Sequence, residues 1–317
     1  VPSGLTDIEG IKVGVVSDLD AATGITVVLI ETGARAAVEV RGSAPGTRET
    51  DLLVPGRLVE EVQAVALTGG SAFGLDAVSG VMKYLEEKKC GFPVDPFRIP
   101  IVPAAVLFDL FVGDGRVRPG EEMGYKACRS AGAGPVPEGS VGAGCGAAVG
   151  KIYGIDYAVK SGQGSFALQK DDLIVAALVA VNAFGDIFDC EGNLLAGPRN
   201  PQTGLMEKTI DLLFGKESVD SFGNTTLGIV ATNADLDKTA LQKVCQLAHD
   251  GLARSIWPVH TMWDGDTIFS LSKGKLEADL NVVGLMAAEA VARAVERAVR
   301  TAGSLGGIPA VKDLKPK

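Results

Sequence analysis

Residues 173–181 and 225–232 are apolar and largely β-branched, with almost no polar alternation. A strand with one wet face alternates polar and apolar side chains, whereas a strand covered on both faces does not. Both segments are therefore expected as strands with protein above and below. The remaining segments can supply those layers. Phe73, Ala77, Val78, Val81, Met82 and Leu85 recur at helical spacing behind Ser71, a candidate N-cap. Leu241, Val244, Cys245, Ala248 and Leu252 mark the apolar face of a helix over 237–254, with Asp237 as its candidate N-cap. A long Ala- and Val-rich helix is expected over 280–301.

Further strands are read at 62–67 and 268–271. Residues 24–42 read as a β-hairpin turning at Glu31-Thr32-Gly33-Ala34. Residues 153–159 and 165–168 read as strands about the turn Ser161-Gly162-Gln163-Gly164. Residues 93–103 and 190–222 read as loops, with a short helix at 207–213, and residues 312–317 as a frayed tail. The strands come in antiparallel groups with helices before and after. Stacked sheets covered by helices fit that order better than a doubly wound parallel sheet.

The 317 residues are 46% hydrophobic, enough for a large core. The formal charge of −9, with lysines and arginines scattered, argues against a nucleic-acid partner. No apolar run reaches the roughly 20 residues that span a bilayer. The opening Val1-Pro2-Ser3-Gly4 carries no basic segment before an apolar one, as a secretory leader would. The five cysteines are widely spaced with no C-x-x-C pair, so a reducing, cytoplasmic setting is expected. With only His249 and His260, neither a His-rich metal site nor a Ser-His-Asp triad is well supported.

The chemistry concentrates at Gly223-Asn224-Thr225-Thr226. Cutting the Asn224–Thr225 bond would give Thr225 both a hydroxyl and a free α-amine. That amine, with an ordinary pKa of about 8, could take the hydroxyl's proton without any histidine. A Thr-Thr pair opening a strand is also ordinary β sequence. In Asp264-Gly265-Asp266 the glycine permits a tight turn, and the two carboxylates could orient the amine. An Asx-turn before the next strand explains the same residues. Asn182, where a buried run ends, could donate to an oxyanion or simply cap a turn. Lys151 could hold a nearby amine neutral, or be a solvated surface lysine. Thr68-Gly69-Gly70-Ser71 could offer backbone N–H groups to a substrate carboxylate, and is equally a structural turn. Cys145, between two glycines, reads as a small buried residue.

Together these residues resemble the L-aminopeptidase/D-amino-acid esterase–amidase family, which includes β-aminopeptidases and the endo-type 6-aminohexanoate oligomer hydrolase. The likeness runs through Gly4-Leu5-Thr6-Asp7, 67–76, 103–110, Asn224-Thr225-Thr226 and His260-Thr261-Met262-Trp263-Asp264-Gly265-Asp266-Thr267. The resemblance implies one domain over 1–317, a four-layer α/β/β/α sandwich like that of the N-terminal nucleophile hydrolases with different connectivity. It implies self-cleavage into fragments 1–224 and 225–317, with Thr225 as nucleophile and, through its amine, base. Asp264, Asp266, Asn182 and Lys151 match supporting positions, and Gly69, Gly70, Ser71 and Phe108 the substrate side. Phe108 stands where several members carry a tyrosine. The family works on small peptide or amide substrates without metal or organic cofactor, as oligomers of paired fragments, often tetramers. Acyl transfer, as in ornithine acetyltransferases, and a non-catalytic member binding a small amino compound are the competing readings.

Overall fold

The computed structural model describes residues 4–215 and 223–314. The opening Val1-Pro2-Ser3, the end of the tail at 315–317 and part of the 190–222 segment lie outside these residues. Among the described residues the main sheet has nine strands. They are β1 (Lys12–Asp18), β2 (Thr23–Val40), β3 (Gly46–Arg48), β4 (Glu61–Thr68) and β5 (Ala104–Val106), followed by β6 (Gln163–Lys170), β7 (Leu173–Asn182), β8 (Thr225–Ala234) and β9 (Thr267–Leu276). Their spatial order is β6-β7-β8-β9-β2-β4-β5-β3, with β1 also on β2. The β8–β9 and β4–β5 pairs are parallel and the rest antiparallel.

The segment expected as a hairpin at 24–42 is instead one strand, β2. The tetrad Glu31-Thr32-Gly33-Ala34 does not reverse the chain. Gly33 takes φ +79°, and the pairing with β4 slips between Leu29 and Ala34. A left-handed glycine in a strand makes a bulge, which bends the strand and increases its twist. The first half of β2 pairs with β1, the second with β9. One strand thus crosses from one half of the sheet to the other.

Four principal helices cover the sheet: α1 (Ala77–Glu87), α2 (Glu121–Ser130), α3 (Lys238–Ser255) and α4 (Leu280–Thr301). Side-chain alternation shows the layering. In β7, Val175, Val179 and Val181 face Leu241, Val291 and Val295 of α3 and α4. Leu178 and Ala180, on the other face, join Ile229, Phe269, Val28 and Leu67 in an inner core between the two halves of the sheet. Ile25, Val27 and Ala66 meet Val78, Val81 and Leu85 under α1 and α2. The order is helix pair, sheet, sheet, helix pair, the expected sandwich, and both apolar runs are buried on both faces.

Several local expectations need correction. Ser71 does not cap an α-helix. Residues Ser71–Asp76 form a 3-10 turn behind Gly70, and α1 starts only at Ala77. Residues 93–103 are not all loop, because Phe92–Val94 and Phe97–Ile99 pair as a small hairpin. Residues 153–159 are not a strand. Ile155–Tyr157 is a 3-10 turn, and only Val159–Lys160 pairs, with Ala148–Val149. In the 190–222 segment, Leu194–Ala196 pairs with Asp186–Phe188, and the short helix covers Thr209–Leu213. Val311–Asp313 of the tail forms a 3-10 turn. Asp237 does cap α3, accepting from the Ala240 N–H at 2.8 Å. No helix among the described residues is long and apolar enough to cross a membrane.

Candidate active site

Thr225 is the first residue of β8, between β7 and β9, and only 4% of it is exposed. β7 delivers Asn182 directly opposite it in register. On the other side Asn224 bridges to Asp264 in the turn before β9. Strand pairing alone therefore brings Asn182, Thr225 and the 264–266 turn to one end of the sheet.

The carbonyl oxygen of Asn224, on the bond expected to break, accepts two hydrogen bonds. One comes from the Gly265 N–H at 3.0 Å and one from the Thr225 Oγ1 at 2.5 Å. Gly265 must lack a side chain to do this. A Cβ there would lie 2.6 Å from the Ala44 carbonyl oxygen and 2.7 Å from Thr225 Oγ1. Sequence reading assigned Gly265 a turn role only. Its backbone donor has no side-chain signature, and the one available hint was a glycine between two carboxylates.

Those carboxylates diverge rather than act as a pair on residue 225. Asp266 accepts from the Thr226 N–H at 2.6 Å and from the His260 N–H and Nδ1 at 3.1 and 2.7 Å. It thereby anchors the peptide just beyond Thr225. Asp264 accepts from the Phe184 N–H at 3.2 Å and from the Thr261 N–H and Oγ1 at 3.1 and 2.5 Å. Burial first, and the charge of Asp266 second, push the Asp264 carboxyl above the usual carboxylate range. His260 stacks edge-on against His249, whose burial pushes it down to about 4. Thr261 is a partner that sequence reading did not assign, whereas His260, which precedes the two carboxylates and is expected to support them, does bond Asp266.

Asn182 and Lys151 meet one residue upstream of the expected cleavage point. The Asn182 Nδ2 donates to the Phe108 carbonyl at 2.8 Å and to the Gly223 carbonyl at 3.2 Å. The Lys151 Nζ donates to the Asn182 Oδ1 at 2.6 Å, to the Asn182 carbonyl at 3.1 Å and to the Gly223 carbonyl at 3.1 Å. Lys151 is thus no surface lysine. Burial holds it down at about 7, while Asp264 and Asp109 favour its charge. Three oxygen acceptors use all three protons of the ammonium form. Asn182, expected to face an oxyanion, is placed one carbonyl before it in the uncut chain. The Phe108 ring packs on Gly223 and on Phe111, with ring centroids 4.9 Å apart in the latter pair.

The Gly69-Gly70-Ser71 turn does not offer free N–H groups. Gly69 donates to the Gly24 carbonyl, Gly70 to Asp109 Oδ1 at 2.7 Å and Ser71 to the Leu107 carbonyl. An anion cradle there is corrected to a scaffold. Asp109, itself buried, ties the turn and Thr23 to the segment that carries Phe108. Cys145 is buried as expected, and its thiol is pushed up to about 11 by that burial.

The model of peptidase family S58 matches residues 3–311. An uncharacterised aminopeptidase of Mycobacterium leprae is 41% identical over 344 residues, covering 96% of this chain and 92% of the relative. The 6-aminohexanoate-oligomer endohydrolase of Paenarthrobacter ureafaciens is 30% identical over 310 residues, covering 91% and 84%. Among solved structures, the L-aminopeptidase D-Ala-esterase/amidase of Ochrobactrum anthropi, described as a variant of the Ntn hydrolase fold, superposes with a TM-score of 0.74. It shares 20% identity over 97% of this chain and 88% of that one, so it speaks for the fold.

Proposed function

Because this chain belongs to peptidase family S58 and is an amide-bond hydrolase of the aminopeptidase/amidase type, we propose that it activates itself by cutting between Asn224 and Thr225. The observation that carries this reading is the shared carbonyl. The Asn224 oxygen lies 2.5 Å from the Thr225 hydroxyl and 3.0 Å from the Gly265 N–H. The hydroxyl attacks that carbonyl carbon, and the Gly265 N–H receives the negative charge that develops on the oxygen. The C–N bond then breaks, and the hydroxyl's proton ends on the departing nitrogen. An ester now joins Asn224 to Thr225 Oγ1. Water hydrolyses it, leaving a carboxylate at Asn224 and a free amine on Thr225.

The second stage reuses the same atoms. The Thr225 amine takes the hydroxyl proton as Oγ1 attacks a substrate amide, and an acyl-enzyme forms. The proton passes to the leaving amine, and the Thr225 amine then activates water to release the acid. The Lys151 charge nearby favours the neutral, basic form of that amine. Asp266 holds the Thr226 peptide, and so the direction of the nucleophile, through the 2.6 Å bond. A single oxyanion donor in such a site is worth about 3–4 kcal/mol of barrier. The substrates are short peptides and small amino-acid amides. Intact-mass measurement tests the first stage: wild type is expected as fragments 1–224 and 225–317, and Thr225→Ala as one uncut, inactive chain. A wild type that stays intact while hydrolysing amides would refute the proposal.

A further inference from the structure

Residues 142–148 are all Gly, Ala or Cys, and they run beside Asn182 with almost no side chains by which to fix themselves. A Cβ on Gly144 would come within 2.2 Å of the Gln163 nitrogen, and one on Gly146 within 2.2 Å of the Ala22 carbonyl oxygen. The segment lies against backbone and must be held through its own backbone. We infer that the buried Lys160, which the steps above do not use, is a positioning residue that holds this segment and, through it, Asn182, so that chain cleavage and amide hydrolysis both depend on it. This inference rests on the self-cleavage reading above, in which the peptide ending at Asn224 is held for attack.

Three links carry it. Lys160 stands directly opposite Ala148 in the strand pair and has no exposed surface. Its Nζ donates to the Ser161 carbonyl at 2.6 Å, to the Ala147 carbonyl at 2.8 Å and to the Gly144 carbonyl at 3.4 Å. The Ala147 carbonyl also accepts from the Ser161 N–H at 3.0 Å. The second link is the Ala147–Ala148 peptide itself. Its carbonyl and N–H share one plane, so fixing the first sets the direction of the second. In the third link, that N–H donates to the Asn182 Oδ1 at 3.1 Å. With the Lys151 Nζ on the same oxygen at 2.6 Å, both lone pairs of Oδ1 are taken, and Nδ2 is turned toward the Phe108 and Gly223 carbonyls. A reversed amide would set Oδ1 against those two carbonyl oxygens. The Gly223 carbonyl lies one peptide before the carbonyl that Thr225 attacks, so a loosened Asn182 lets the attacked carbon drift from Oγ1.

Either protonation state of Lys160 serves. The ammonium brings three hydrogens to three carbonyls, and the neutral amine still has one for Ala147. Burying an amine is costly, and an apolar side chain of similar length would fill the same space at lower cost. What lysine adds here is the donor.

The test is Lys160→Met, which keeps the length of the side chain and removes its N–H groups, beside Lys160→Gln, which restores a donor. In Lys160→Met the rate of fragment formation and, after processing, kcat on an amino-acid p-nitroanilide are expected to fall by about tenfold or more, with KM within about threefold of wild type. Lys160→Gln is expected to recover part of that loss. Hydrogen exchange followed by mass spectrometry should rise over residues 144–149 and not along β7 or β8, which a general loosening of the fold would also open. A folded Lys160→Met that cuts and turns over within about twofold of wild type overturns this inference alone. So does exchange that rises equally in β7, β8 and 144–149. If neither variant folds, a crystal structure of the processed wild type decides: all three links intact support the inference, and an Ala148 N–H turned from Asn182, or an Nζ out of reach of the Ala147 carbonyl, overturns it. An uncut, inactive wild type overturns the self-cleavage reading, and this inference with it.

Discussion

The two ends of the central strands β8 and β9 are built on opposite principles. At the end carrying Thr225, the polar side chains are almost wholly buried: Asn182, Asp264, Asp266 and Lys151 are between 0 and 8% exposed. Each is held by several partners, many of them backbone groups far away in sequence. At the other end, Arg35 pairs with Asp235 at 2.5 Å, yet their side chains are 42% and 49% exposed. Nearby Lys273 and Lys275 also lie at the surface. Exposed pairs gain little because water and salt compete for both charges. Buried polar groups are penalised unless every bond is made, and they persist where geometry must be held. The contrast separates a buried, fully bonded polar cluster at one end of the strands from a solvated boundary at the other.

The sharpest break in that contrast is Thr225→Ala. It should abolish chain cleavage and lower amide hydrolysis by about 10³-fold or more, read by gel and by steady-state kinetics. Thr225→Ser, which keeps the hydroxyl, should retain cleavage. Next comes Gly265→Ala. The added methyl must displace either the Ala44 carbonyl or the Thr225 hydroxyl, so cleavage should slow by about 10²-fold in a time course of fragment formation. Asp266→Ala follows. It leaves the Thr226 and His260 N–H groups without their acceptor and should lower unfolding stability by about 2 kcal/mol, measured in denaturant.

A smaller effect is expected at Asp186, fully buried at the flank of the site, where it accepts from the Thr209 N–H and Oγ1. Burial pushes its carboxyl up to about 7, against about 3.9 in the unfolded chain. A raised carboxyl binds its proton more tightly in the folded state. Its contribution is complete below about pH 4 and is lost as the pH rises through about 7. Wild-type melting temperature should therefore fall across that window relative to Asp186→Asn, by roughly 2–4 °C for each kcal/mol involved. At the opposite end of the strands, Asp235→Ala should change stability by less than about 0.5 kcal/mol and leave cleavage untouched. A large loss there would erase the contrast between the two ends.

Much of the layering was legible because burial on both faces leaves a direct trace. Residues 173–181 and 225–232 lack polar alternation, and the helix over 280–301 has the boundaries its composition implied. Elements whose form depends on distant partners were less readable. The tetrad at Glu31 to Ala34 has turn composition, but it becomes a bulge because β4 and β9 hold both halves of β2 extended. The 3-10 turn at Ser71–Asp76 has Phe73 exposed, so its apolar spacing did not report a buried helical face.

The site divided in the same way. Thr225, Asp264, Asp266, Asn182 and Lys151 could be picked out by residue type and by the family resemblance. Their partners could not. The bonds from Lys151 to Gly223 and from Phe184 to Asp264 cross 72 and 80 positions of sequence. The Gly265 donor belongs to the backbone, which every residue but proline shares. For Gly69, Gly70 and Ser71, the sequence displayed the N–H groups but not the acceptors that already occupy them.

The central claim is that one threonine supplies both the attacking oxygen and the proton acceptor. The most direct measurement is to mix processed enzyme with a slowly turned-over amino-acid p-nitrophenyl ester, quench in acid within the first turnover, and map the acyl group by peptide mass spectrometry. The account predicts the added mass on residue 225, at the start of the fragment that begins there. An acyl group on any other side chain, or full activity from a chain still joined at Asn224, would contradict it.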